Sequence, residues 1–77
     1  MAKIRQSTIQ RVVNETFCDV GKYRYVMHMG AAGWAYIRRR ERANLDVLPA
    51  HGPAWETVAV YDPADGEWHT DTNNYIG

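Results

Sequence analysis

Only one cysteine, Cys18, is present. No intrachain disulfide can therefore staple the fold, which excludes the disulfide-framework architecture common among small secreted domains. The chain has no apolar run long enough for a membrane span, and residues 1–7 are polar and basic rather than leader-like. The compartment expected is cytoplasmic. No glycine-rich phosphate loop, nucleophile elbow or dinucleotide fingerprint occurs. Zinc-type spacing is missing too, with no paired cysteines and no His-x-x-x-His. Beyond Arg42 there is no lysine or arginine at all.

That last absence defines the charge layout. All nine cations lie in residues 1–42 against Glu15, Asp19 and Glu41, leaving that part at +6. Residues 43–77 carry Asp46, Glu56, Asp62, Asp65, Glu67 and Asp71 with no cation, a formal −6, so the net charge of zero hides a polarised chain. Such asymmetry points either to a surface for nucleic acid or another charged partner, or to two halves that neutralise each other. Apolar residues make up 45% of the chain, and its nine aromatics are spread along it, which is a globular composition. Seventy-seven residues make a single small domain, 1–77, with a thin core. A deep substrate cavity would compete with that core, so a binding surface is expected and an enzyme is not.

Ile9, Val12, Val13 and Phe17 recur at helical spacing, and Ser7 with Gln10 resembles a capping box. Gly21 could stop such a helix. The β-branched Thr8, Ile9, Val12, Val13 and Thr16 support a strand instead. Residues 4–18 are read as an N-terminal helix, with an extra strand as the alternative. Residues 22–42 read as a β-hairpin whose arms, 22–29 and 34–40, flank Gly30-Ala31-Ala32-Gly33. A two- or four-residue loop would set Met27 opposite Tyr36 and Tyr25 opposite Arg38. A three-residue loop would shift every pair by one. Residues 43–54 are a connector broken by Pro49, Gly52 and Pro53, with Leu45, Val47 and Leu48 tucked into the core. Residues 55–72 read as a second hairpin turning at Asp62-Pro63-Ala64-Asp65-Gly66, which sets Tyr61 opposite Trp68. Tyr75 and Ile76 could dock as a short tail. The expected fold is α+β or mainly β, a small antiparallel sheet of two hairpins (22–42 and 55–72).

Four constellations bear on function. Tyr23, Tyr25, Met27, Met29, Trp34, Tyr36, Arg38 and Arg40 would share one hairpin face, either a stacking platform with cations or the core itself. The run Arg38-Arg39-Arg40-Glu41-Arg42 cannot be one patch on a strand, because neighbours point to opposite faces. His28, His51, His69, Cys18 and Asp71 have no metal or catalytic pattern, so no metal, cofactor or catalytic residue is expected. The acidic end is read as a solvated face. Together these imply a non-enzymatic module that binds another protein or macromolecular complex through Tyr25, Trp34, Tyr36, Arg38, Arg39, Arg40 and Arg42. A small inhibitor or accessory factor of the kind phages and mobile elements encode fits that description, and homodimerisation through exposed sheet edges is compatible with it. Direct DNA or RNA binding through the basic half is the alternative. No membrane partner is expected.

Overall fold

The computed structural model describes residues 3–46 and 55–72. It has one helix, α1 (Gln6–Glu15), and five strands: β1 (Phe17–Val20), β2 (Tyr23–Met29), β3 (Ala35–Glu41), β4 (Glu56–Asp62) and β5 (Glu67–His69). They form one antiparallel sheet in the order β1-β2-β3-β4-β5, so sequence order is sheet order. A helix across an antiparallel sheet is the α+β arrangement expected. Among the described residues no helix is long and apolar enough to cross a membrane.

Residues 4–18 supply both of the elements weighed for them. Thr8, Ile9 and Val12 form the buried stripe of α1, which packs on β1 and β2. Val13 and Phe17, expected on that stripe, are instead 37% and 49% exposed. The Ser7–Gln10 pattern is not the cap: Arg5 occupies the N-cap position and no side chain caps it. Gly21 does not end the helix either. Thr16 does, in the left-handed region at φ +70, its N–H donating to Val12 O. Its carbonyl accepts from Met27 N at 3.0 Å, so the chain joins the sheet one residue past the last turn. Gly21, at φ +58, lies in the turn between β1 and β2.

The β2–β3 arms fall where expected, but their register differs. The loop is the three-residue segment Ala31–Gly33, closed by Gly30 N donating to Trp34 O at 2.7 Å and Trp34 N to Ala31 O at 3.1 Å. Ala32 and Gly33 both take positive φ, +56 and +86, which lets an odd number of residues reverse the chain. Every pair therefore shifts by one: Tyr25 faces Arg39, Met27 faces Ile37 and Met29 faces Ala35. Ile37 thereby joins the helix side with Tyr25, while Tyr36, Arg38 and Arg40 turn to the other face.

Between β3 and β4 the register jumps from Ile37↔Ala59 to Arg38↔Thr57, leaving Val58 as a bulge residue. Val58 and Ala59, adjacent in sequence, consequently both enter the core. The β4–β5 hairpin matches its expectation. Tyr61 pairs with Trp68, ring centroids 5.5 Å apart, across a turn in which Gly66 (φ +69) donates to Asp62 O. β5 stops at His69, shorter than the 67–72 segment expected. The expected docking of Val47, Leu48, Tyr75 and Ile76 lies outside the described residues. The core is Ile4, Ile9, Val12, Cys18, Tyr25, Ile37, Val58 and Ala59, flanked by Tyr23, Met27 and Trp68.

Two substitutions check this arrangement. Ile37, fully buried, should lose about 2–5 kcal/mol when changed to Ala, read as a lower urea midpoint. Thr16→Gly should raise that midpoint, because a β-branched residue at positive φ costs about 1–2 kcal/mol.

Candidate functional site

Alternation from the core residues puts Phe17, Asp19, Arg24, Val26, His28, Tyr36, Arg38, Arg40 and Val60 on the face opposite α1. Cross-strand pairing arranges them in rows. Asp19, Arg24 and Arg40 form one; Phe17, Val26 and Arg38 the next; His28, Tyr36, Val60 and His69 the third. Val60 and Arg40 are buried. Phe17, His28 and Arg38 are exposed, and Arg24, Val26 and Tyr36 half-buried, so the open part of this face lies over β1 to β3.

Its side chains are held in place. Arg24 grips Asp19 with two bonds, Nε to Oδ1 at 2.7 Å and an NH2 contact to Oδ2 at 3.0 Å. That fork holds the Asp19 carboxyl below its ordinary range. It also lays the guanidinium over the Phe17 ring, 5.1 Å from the centroid. Arg38 stands 5.9 Å from the Tyr36 centroid. The Tyr36 ring packs close to Gly30, where a Cβ would come within 2.9 Å of it. Glycine is required there for the ring to lie where it does.

The seven residues expected to form one contact surface are divided between several places. Tyr25 is 6% exposed and belongs to the core, the direct consequence of the shifted β2–β3 pairing. Arg39 faces the helix side. It lies 4.0 Å over the Tyr23 ring, pairs with Glu56 Oε1 at 2.8 Å and donates to Lys3 O. Lys3 reaches the other oxygen of Glu56 at 2.6 Å. These two cations hold the Glu56 carboxyl below its ordinary value, Lys3 contributing most. Arg40 is buried on the outer face. Arg42 follows β3, with Asp19 Oδ2 3.8 Å from its Nε. Trp34 closes the β2–β3 loop. Tyr36 and Arg38 remain together on the open face. Phe17, Arg24 and His28 join them there; none of these three is among the contact residues expected from the sequence, because their grouping depends on β1 and on the register.

Among the described residues one set of side chains has metal-ligand character. Asp65, Glu67 and His69 bring donor atoms within 4.8 Å of one another. Asp65 is already engaged, accepting Glu67 N at Oδ1 (2.9 Å) and meeting His69 Nε2 at Oδ2 (2.8 Å). Those bonds, the backbone one first, hold its carboxyl below the ordinary range. The cluster is accounted for as hairpin-turn chemistry.

Comparison with protein-family models, curated proteins and solved structures finds no match for this chain.

Asp19, Glu56 and Asp65 all have folded-state values below their ordinary ones. The stability they provide is complete above the ordinary carboxylate range and is lost as pH falls through their lower folded values. Glu56→Gln should lower the melting temperature at neutral pH. It should also flatten the decline below pH 4.5, the ordinary glutamate value, followed by circular dichroism across the acid range.

Proposed function

We propose that this chain is a non-enzymatic protein-binding module, a small accessory or inhibitory subunit that docks through the open face of β1 to β3. The observation carrying this reading is the composition of that face. A large exposed aromatic, Phe17 at 49%, lies beside the fixed Arg24, with Tyr36, Arg38 and His28 next to it. Aromatic and arginine anchors on a rigid support are what the centres of protein interfaces are built from. Pre-ordering by the Arg24–Asp19 fork reduces the entropy lost on docking.

The same face is poorly suited to a phosphate backbone. Asp19 neutralises Arg24, and Arg40 is buried. Among the described residues Arg38 alone of these three arginines is both exposed and outside any ion pair. Nucleic-acid grooves rely on several such cations tracking the strand. The acidic β4–β5 turn, with Asp62, Asp65 and Glu67, adjoins this sheet face and would repel phosphate further.

Immobilised protein should retain one partner in stoichiometric amount, and Phe17→Ala or Arg38→Ala should each weaken that complex at least about tenfold, roughly 1.4 kcal/mol, with circular dichroism unchanged. Titration with single-stranded DNA and RNA at low salt should give no binding. Binding that falls steeply with salt would replace this reading with nucleic-acid recognition.

A further inference from the structure

We propose that β1 is a self-association edge, along which a second copy of this chain adds antiparallel and joins two five-stranded sheets into one. This goes beyond the docking reading and does not rest on it, because it uses the edge of the strand rather than the open face.

Among the described residues β1 pairs with β2 alone, and its other side is an edge of the sheet. Met27 N donates to Thr16 O, which makes Cys18↔Tyr25 and Val20↔Tyr23 the hydrogen-bonded pairs with β2. The N–H and C=O groups of Phe17 and Asp19 therefore point away from the sheet, and no group among the described residues bonds them. The usual guards of an edge are missing, for no lysine, proline or bulge interrupts Phe17–Val20. Two of its four side chains are exposed large hydrophobics, Phe17 on the open face and Val20 on the helix side. The opposite edge, β5, is only Glu67–His69 and adjoins an acidic turn.

Register and charge select a second copy as the occupant. Antiparallel pairing centred on Cys18 sets Phe17 opposite the second copy's Asp19, and Asp19 opposite its Phe17, so every outward backbone group of both residues is used. Centring on Asp19 would oppose two carboxylates, and centring on Phe17 would set Asp19 against the helical Glu15. With Cys18 at the centre the strand ends match in charge. Glu15 closes α1 just before β1, where no basic residue occupies the last turn, and Lys22 follows just after β1. The pairing brings Lys22 of each copy to the Glu15 end of the other, beside the negative end of that helix dipole. Both side chains are exposed, and their ion pairs within the chain are long, 3.8 Å for Arg11–Glu15 and 3.5 Å for Lys22–Glu41, so both are open to exchange. The two-fold axis stands perpendicular to the sheet, which leaves both α1 helices on one side and both open faces on the other.

The test is sedimentation of the full chain over a concentration series, together with NMR on a mixture of isotope-labelled and unlabelled protein. A monomer–dimer equilibrium is expected, with an intermolecular Hα–Hα contact between the two Cys18 residues, the close non-hydrogen-bonded pair of this register. Asp19→Pro removes an outward N–H that β2 does not use and should weaken the dimer about tenfold. Val20→Lys, which guards the edge, should weaken it to a similar degree. Lys22→Glu should weaken it about fivefold, and adding Glu15→Lys should restore it. Circular dichroism checks that each variant is folded. A chain that stays monomeric at millimolar concentration, a dimer without the Cys18–Cys18 contact, larger head-to-tail species, or undiminished association of the folded Val20→Lys variant would each overturn the proposal. Capture of a partner by a strictly monomeric chain would overturn this inference and leave the docking reading standing.

Discussion

The parity of a single loop governs this structure. Three residues, Ala31–Gly33, connect β2 to β3, and an odd count with two consecutive positive φ values sets Met27 opposite Ile37. That pairing puts Tyr25, Met27 and Ile37 under α1, where Ile9 and Val12 meet them. It puts His28, Tyr36 and Arg38 on the opposite face. A pairing shifted by one would bring Arg38 and Arg40 to the helix side and remove Ile37 from the core. Burying two guanidiniums in place of a fully buried isoleucine costs far more than any turn preference, so the core and the loop select the same register.

The sheet also turns a property of the chain into a property of the molecule. Because the strands follow sequence order, the basic first part becomes the β1–β3 side and the acidic last part the β4–β5 side. Ion pairs among the described residues are mostly internal to each part: Arg24 and Arg42 with Asp19, Lys22 with Glu41, Arg11 with Glu15, His69 with Asp65. Glu56 is the exception, drawing Lys3 and Arg39 across the divide. Polarity is thus retained on the large scale while the individual cations are largely neutralised locally. Arg38 on one face and Arg5 at the helix end stand outside these pairs.

The β4–β5 hairpin was legible in the sequence because its chemistry is local. Asp62 before Pro63, Asp65 accepting the Glu67 amide and Gly66 at positive φ are all contained in one short segment. The α1 periodicity was legible for the same reason. Phe17 was misplaced because the helix ends where Thr16 is bound into the sheet by Met27, a contact between distant residues. The β2–β3 arms were legible, but Gly30-Ala31-Ala32-Gly33 is compatible with loops of either parity, and the left-handed Ala32 carries no composition signal. The Val58 bulge is likewise set by the core, not by its own residues. Since the candidate surface depends on face assignment, an ambiguity of one residue was enough to mix core positions such as Tyr25 with exposed ones such as Arg38.

The most direct measurement is therefore the pattern of cross-strand Hα–Hα contacts in β2–β3 by NMR. Thr16 O accepting Met27 N directs the Met27 backbone toward β1, which makes Met27↔Ile37 and Tyr25↔Arg39 the close, non-hydrogen-bonded pairs with β3. Strong contacts between Met27 and Ile37 and between Tyr25 and Arg39 are the predicted result. Contacts between Met27 and Tyr36 and between Tyr25 and Arg38 would contradict it, and with it the division of these residues between core and surface.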